Sequence, residues 1–230
     1  MKPVINLTGV DEIKYFEEIL YPIQDAVLAL IGTEKFYLSG GTCLSRFYYN
    51  HRYSEDLDFF FDGSENSLSK YEKDYITFLT KIKELFDINV TVASESFKRI
   101  FIKKNDISLK IEFIFEPYPR IGKVIDKQNF KIDSKENIAV NKLTATYTRK
   151  TAKDFFDLYF LLNEFELNEL LMKTETKLKT PAYEELLLSL KNSLFEGEVN
   201  TPQKIDRQEF FRFVDNLIDK LLGYAKQYSK

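Results

Sequence analysis

Residues 36–61, FYLSGGTCLSRFYYNHRYSEDLDFFF, decide the fold of this chain. The stretch contains the only Gly-Gly pair, the one cysteine and the one histidine of the sequence. Two aspartates, Asp56 and Asp58, then introduce three consecutive phenylalanines. We predict a strand over 35–38, a tight turn over 39–42, a helix over 43–49 and a strand over 57–61.

The composition is that of an ordinary globular protein, with 44% apolar and 30% charged residues in a chain of 230. The first twenty residues lack the pattern of a signal peptide, and no apolar run approaches the length of a membrane span. A single cysteine excludes an intramolecular disulfide and an all-cysteine metal site. We therefore expect a cytoplasmic protein with no membrane segment.

Apolar spacing along the chain changes character near residue 135. Before that point we predict further helices over 13–31 and 66–86 and strands over 89–94, 99–103 and 108–115. After it we predict only helices, over 138–163, 167–178, 183–195 and 208–228. We expect an α+β fold with two domains, a mixed domain over 1–135 and an all-helical domain over 136–230.

The two aspartates and the glycine pair suggest a nucleotide site. Because side chains alternate along a strand, Asp56 and Asp58 face one way while Leu57 and Phe59 enter the core. Two close carboxylates suit Mg²⁺, which takes carboxylate oxygens and bridges to substrate phosphates. The backbone at the glycine pair, at a helix start, can approach those phosphates. Either motif alone is usually a solvated strand edge or a plain turn, and their combination favours the nucleotide site.

A third carboxylate is predicted on the strand over 108–115, where Lys110 and Glu112 share one face. Glu112 is a candidate third metal ligand, or a base for an attacking hydroxyl. The alternative is an ordinary ion pair between Lys110 and Glu112. His51 is interpreted as a surface or packing residue rather than a base.

Four motifs together resemble a known family: SGGTCL at 39–44, RYSEDLDF at 52–59, NKLTA at 141–145 with Arg149, and KDFFDLYFL at 153–161. This pattern is similar to the AbiEii/AbiGii nucleotidyltransferase toxins, relatives of DNA polymerase β, and covers about residues 36–162. In that family a lysine and a later aspartate of the last two motifs are needed for activity. Family members commonly have arginine where this chain has Lys153, so the charge is kept and the planar fork is lost.

The resemblance implies a nucleotidyltransferase-like mixed sheet flanked by helices and followed by a helical C-terminal region. Its implied catalytic residues are Asp56, Asp58, Lys142, Asp157 and Glu112, of which Asp56 and Asp58 hold Mg²⁺ on an NTP co-substrate. Its implied nucleotide-binding residues, which contact phosphate or brace the loop, are Gly40, Gly41, Thr42, Arg52, Ser54 and Arg149.

The phase of the helix over 138–163 bears on which aspartate pairs with Lys142. If that helix is continuous, Lys142 and Asp157 lie within one stripe about 80° wide, shared with Thr146, Arg149 and Lys153. Asp154 then lies about 120° away from Lys142. The continuous helix therefore predicts Asp157 as the inward aspartate.

The expected function is nucleotide transfer from NTP–Mg²⁺ to RNA, with tRNA as the acceptor and a cognate antitoxin as partner, in a toxin–antitoxin or abortive-infection system. Residues 98–153 carry fourteen Lys or Arg against six Asp or Glu, a local balance of +8 that suits RNA. The alternatives are a transferase acting on a protein or on an aminoglycoside-type small molecule, and a catalytically inactive nucleotide-binding module. The positive balance disfavours a cationic aminoglycoside.

Overall fold

The computed structural model describes residues 2–32, 35–178, 183–191 and 195–228. Its strands are β1 Val4–Leu7, β2 Phe36–Ser39, β3 Leu57–Asp62, β4 Asp87–Ala93, β5 Phe97–Lys104, β6 Ile107–Glu116, β7 Ile125–Lys127, β8 Phe130–Ile132 and β9 Glu198–Thr201. Its helices are α1 Val10–Lys14, α2 Tyr21–Ile31, α3 Gly40–Leu44, α4 Leu68–Ile82, α5 Lys135–Thr148, α6 Ala152–Leu161, α7 Leu167–Leu178, α8 Tyr183–Lys191 and α9 Arg207–Tyr228. The π-helical segments Tyr15–Leu20 and Ser45–Tyr49 follow α1 and α3.

The chain groups into two compact units, which we call the sheet unit and the helical unit. The sheet unit comprises residues 9–48 and 54–134. The helical unit comprises the described residues of 2–8, 49–53 and 135–228. The expected division into domains 1–135 and 136–230 stays a prediction.

The sheet unit contains a seven-stranded mixed sheet in the order β4-β5-β6-β3-β2-β8-β7. At its centre, β3 pairs antiparallel with β2 and parallel with β6. This mixed sheet with flanking helices confirms the expected fold class. The short strands β7 and β8 were not predicted from the sequence.

The aromatic run of β3 anchors the sheet. Alternation along the strand buries Leu57, Phe59 and Phe61 and leaves the residues between them half-buried. On the buried face, the ring of Phe113 from β6 lies 5.5 Å from that of Phe59 and 5.2 Å from that of Phe78 in α4. The packed face fixes β3 and β6 side by side, so the acidic residues between the buried positions share the other face.

In the helical unit, the single helix predicted over 138–163 is wrong, because the chain forms α5 and α6 instead. Thr151 is the N-cap of α6, and its hydroxyl accepts a hydrogen bond from the Asp154 amide at 3.3 Å. A threonine followed three residues later by an acid is a helix-start signal. The start of α6 resets the helical phase, so the stripe argument for Lys142 does not hold.

The helical unit also contains an unpredicted parallel pair of strands, β1 and β9. They align Val4 with Glu198, and the Thr8 amide continues the ladder by donating to the Thr201 carbonyl at 3.0 Å. Strand β9 is an addition to the helices expected there, of which α7 and α9 match the predicted bounds closely. Residues 192–194 of the helix expected over 183–195 lie outside the described residues. Within the described ranges, no helix is both long and apolar enough to cross a bilayer.

Candidate active site

The glycine pair lies directly against the acidic strand of the sheet unit. Ser39, the last residue of β2, is aligned with Asp58 of β3, and Gly40 follows with φ +68°. A Cβ placed on Gly40 would lie 2.5 Å from Oδ2 of Asp58. Glycine is therefore favoured both by the backbone conformation and by the space that the carboxylate occupies. The backbone of Gly40 and Gly41 thus begins α3 next to an acid.

Thr42 and Ser54 fix the backbone that leads into β3. The Thr42 hydroxyl contacts both the Asp56 carbonyl and the Ser54 hydroxyl, the latter at 2.8 Å. Because a carbonyl only accepts, Thr42 donates to Asp56 and Ser54 donates to Thr42. Thr42 is 1% exposed, so its hydroxyl is engaged with the protein. This geometry suits a positioning role for both residues better than a contact with phosphate.

Gln24 of α2 is a bracing residue that the sequence reasoning missed. It is fully buried, and its side-chain amide donates to the carbonyls of Ser54 at 3.3 Å and Glu55 at 2.9 Å. Arg46 in turn donates to the Gln24 side-chain oxygen at 3.1 Å. The available signal was a polar residue one position after Ile23, on the helix face that Val27 and Leu28 bury.

Asp133 braces the other side of the glycine turn and was also missed. Its carboxylate, in a residue with no exposed surface, accepts a hydrogen bond from the Ser39 hydroxyl at 2.6 Å. Its carbonyl accepts from the Tyr48 hydroxyl at 2.5 Å. The residue before the glycine pair and the end of the following helical segment are therefore tied to one buried residue.

The carboxylates of the sheet unit are interleaved with cations. Glu112 of β6 is aligned with Asp58 of β3 in the parallel pair, so their side chains are neighbours on one face. Lys110 Nζ lies 2.8 Å from Asp56 Oδ2 and 3.5 Å from Glu112 Oε1. Arg99 Nε donates to Glu112 Oε1 at 2.7 Å. Lys110 thus contacts both Asp56 and Glu112.

The pKa of Lys110 reports the same arrangement. Partial burial lowers its pKa, but the hydrogen bond and charge of Asp56, with the charges of Glu112 and Asp58, outweigh burial and raise it above the ordinary value. The ammonium is therefore held charged among three carboxylates.

The donor set fits a hard cation that keeps water ligands. Within the described residues, no group of three or more His, Cys, Asp or Glu side chains is arranged to hold a metal ion. Asp56 and Asp58 would supply two carboxylates, leaving other positions for water and phosphate oxygens, as Mg²⁺ prefers. Glu112 is engaged by Arg99 at 2.7 Å, and its role as a third ligand stays a prediction.

The remaining candidate residues lie in the helical unit. Lys142 of α5 contacts two aspartates of α6, with Nζ 2.8 Å from Asp154 Oδ1 and 2.7 Å from Asp157 Oδ2. The expectation that Asp154 points away from Lys142 is wrong, because α6 does not continue the phase of α5. Burial lowers the pKa of Lys142, but the two aspartates outweigh it and raise that pKa. Lys142 is therefore charged.

Asp157 is the centre of this buried cluster. Its Oδ1 accepts from His51 Nε2 and Arg52 Nε, both at 2.7 Å, and its Oδ2 accepts from Arg52 at 3.0 Å and from Lys142. Burial raises the pKa of Asp157, but Arg52, Lys142 and the His51 hydrogen bond hold it well below the ordinary value. Asp157 has no exposed surface, which suits a role in positioning these cations, and its catalytic role stays a prediction.

Three other candidate residues of the helical unit differ in their burial and in their bonding partners. Arg52 is 3% exposed and bonded to Asp157, which suits the bracing role rather than the phosphate-binding one. Arg149 donates to Asp154 at 2.9 Å from a side chain that is 55% exposed, so it remains available to an anion. His51 is fully buried and stacked on Phe156, so it is a packing residue that also makes an unforeseen hydrogen bond to Asp157.

Comparisons with known proteins identify a family and a sequence relative. A family model described as nucleotidyl transferase AbiEii toxin, type IV toxin–antitoxin system, matches residues 27–229. An uncharacterized protein of Aquifex aeolicus, aq_aa25, is 29% identical over 171 residues, which are 72% of this chain and 77% of that protein.

Solved structures share the fold at low sequence identity. JHP933 from Helicobacter pylori superposes with a TM-score of 0.59 at 21% identity, covering 97% of each chain. MenT4, the nucleotidyltransferase toxin Rv2826c from Mycobacterium tuberculosis H37Rv, gives 0.59 at 15% identity, covering 92% of this chain and 84% of that one. These similarities extend over nearly the whole chain and confirm the nucleotidyltransferase-like fold.

Proposed function

Because this chain belongs to the AbiEii family of nucleotidyltransferase toxins, we propose that it transfers a nucleotide from an NTP to RNA, with tRNA as the acceptor. We further propose that the transfer depends on Mg²⁺ and that a cognate antitoxin restrains it. The family's description as part of a type IV toxin–antitoxin system supports the antitoxin.

The observation that carries the proposal is the contact between Gly40 and Asp58. The glycine turn lies against the strand that carries Asp58, and this arrangement supports neighbouring sites for phosphate and metal. Asp56 and Asp58 would hold Mg²⁺, which neutralises phosphate charge and orients the triphosphate. The Gly40 and Gly41 backbone would bind phosphate oxygens. Phosphoryl transfer needs mainly positioning and charge stabilisation, which these groups supply.

In the helical unit, we assign Lys142 and Arg149 to the charge of the triphosphate or departing pyrophosphate. Asp157 and Asp154 hold these cations in place. Arg149 has the more exposed side chain of the two. We therefore expect Arg149 to meet phosphate first and Lys142 to act from a more buried position.

An RNA acceptor is supported by exposed cations of the sheet unit. Lys104, Lys123 and Lys127 are all exposed and come from the stretch whose balance is +8. Exposed cations attract a polyanion, so we expect RNA binding that weakens as the salt concentration rises.

The test is transfer of label from each α-labelled NTP, with Mg²⁺, to purified tRNA and to total bacterial RNA. Wild type should label a tRNA-sized band, and Asp56→Asn should reduce labelling by about 100-fold or more. Glu55→Gln is the matched control, because it removes a neighbouring exposed acid and should leave transfer unchanged. Undiminished transfer by Asp56→Asn would overturn the metal-dependent mechanism.

Absence of labelled RNA with a folded, NTP-binding protein would count against an RNA acceptor. Label on a protein or an aminoglycoside would then identify another acceptor class. Nucleotide binding without pyrophosphate release would indicate a binding module.

A further inference from the structure

Lys110 occupies a position that the proposed mechanism leaves unexplained. It extends from β6 on the face that carries Glu112, and its ammonium lies 2.8 Å from Oδ2 of Asp56. Asp56 is one of the two residues assigned to the metal. Lys110 and a divalent cation would therefore compete for the carboxylate of Asp56.

The two cations exclude each other at Asp56. Mg²⁺ binds oxygen at about 2.0–2.1 Å, so a metal on the oxygen that Lys110 contacts at 2.8 Å would lie about 4 Å from the ammonium. Like charges this close repel strongly unless one of them moves. For metal to bind, the contact between Lys110 and Asp56 must open.

The side chain of Lys110 is suited to leave. It is 29% exposed and ends in a single point charge on a flexible stem, so it can move into water without breaking the core. Arg99 differs, because its bond at 2.7 Å is to Glu112. Glu112 therefore keeps Arg99 as its partner when Lys110 moves away. Asp56 loses the positive charge of Lys110, and a bound metal would replace that charge.

We propose that Lys110 is a resident counter-ion that a divalent cation must displace from Asp56, and that it thereby sets the metal affinity of the protein. Lys110 is a positioning residue in this role, since it acts through Asp56. The inference rests on the proposed metal site and adds a competitor to it.

The test is Mn²⁺ binding without nucleotide, measured as free Mn²⁺ by electron paramagnetic resonance. Lys110→Met removes the competitor and keeps the length of the stem, so it should bind Mn²⁺ about tenfold more tightly than wild type. Lys103→Met removes one exposed lysine from the neighbouring strand β5 and should leave the affinity unchanged. Asp56→Asn should abolish Mn²⁺ binding both in the wild-type protein and in the Lys110→Met variant. Lys110→Gln is a second neutral variant, with the same expectation, in case the methionine impairs folding.

The outcomes separate the two proposals. Asp56-dependent binding that is no tighter in Lys110→Met and Lys110→Gln would overturn the role of Lys110 and leave the metal site standing. Absence of Asp56-dependent binding in every variant would overturn the metal site and the role of Lys110 together. If Lys103→Met binds Mn²⁺ as much more tightly as Lys110→Met does, the effect comes from the net charge of the protein, and the proposed role of Lys110 is overturned.

Discussion

Replacing Gly40 by alanine should separate catalysis from stability. The added Cβ would lie 2.5 Å from Asp58 Oδ2, about 0.9 Å inside ordinary contact. The atom it meets ends a short side chain, so the carboxylate can turn aside and the fold can survive. The main effect of the substitution is therefore a displaced carboxylate of Asp58.

The expected loss of stability is small, whereas the expected loss of transfer rate is large. Holding alanine at φ +68° costs about 1–2 kcal/mol of folding free energy. In a chain of this length, that corresponds to a fall of about 2–8 °C in melting temperature. A displacement near 1 Å at a reacting centre can lower the rate by about 100-fold. We therefore expect a folded protein with nucleotide transfer reduced about 100-fold.

Gly197 provides the matched control. Its φ is +75°, and nothing lies within 4 Å of a Cβ placed there. Gly197→Ala therefore carries the same backbone strain without touching Asp58, and should lose similar stability while retaining transfer. Thermal melts followed by circular dichroism and the label-transfer assay measure the two effects separately. Full transfer by Gly40→Ala, or an equal loss in Gly197→Ala, would refute the assignment of the turn to the site.

Three further predictions concern buried polar groups. Burial lowers the pKa of His51, despite the bond to Asp157, so the unfolded chain takes up a proton below about pH 6.5 before the native state does. Stability should fall by up to about 1.4 kcal/mol per pH unit as the pH falls below about 6.5, measured by urea denaturation, and His51→Gln should lack this slope. Asp157→Asn should cost about 3–5 kcal/mol, because the buried cations Arg52 and Lys142 lose the carboxylate that they share. Thr42→Val should cost about 1–2 kcal/mol and slow transfer, because the hydroxyl that holds the Asp56 carbonyl is lost.

Each of these has a clear contrary result. His51 is the only histidine, so an unchanged slope in His51→Gln would assign the titration to other groups. A stable Asp157→Asn protein would show that water replaces the buried charge. Normal transfer by Thr42→Val would remove Thr42 from the support of the acidic strand.

The sequence predicted those elements whose periodicity is strong and local. Alternation in β3 placed Leu57 and Phe59 in the core, as the structure confirms. Strands β1 and β9 are four residues each and pair across more than 190 positions, which no local pattern reveals. The end of α5 was not predicted, because apolar residues recur with helical spacing on both sides of it. The one signal of a new helix was Thr151.

The candidate site was predictable in its residue types and less so in its contacts. The charge at Lys142 and the acid at Asp157 follow from the sequence, but their burial depends on Arg52 and His51, which lie about a hundred positions earlier in the chain. Gln24 and Asp133 bond to backbone and hydroxyl groups, and such bonds have no sequence signature. The contact of Lys110 with Asp56 depends on the pairing of β3 with β6, which alternation within one strand does not specify.

The three separate segments of the helical unit impose an order on folding during synthesis. The sheet unit is drawn wholly from residues 9–134, so its internal contacts can form while the ribosome is still extending the chain. Strand β1 is synthesised before the sheet unit and must wait for its partner β9 at Glu198–Thr201. A nascent chain therefore carries its acidic strand long before the helical unit is complete.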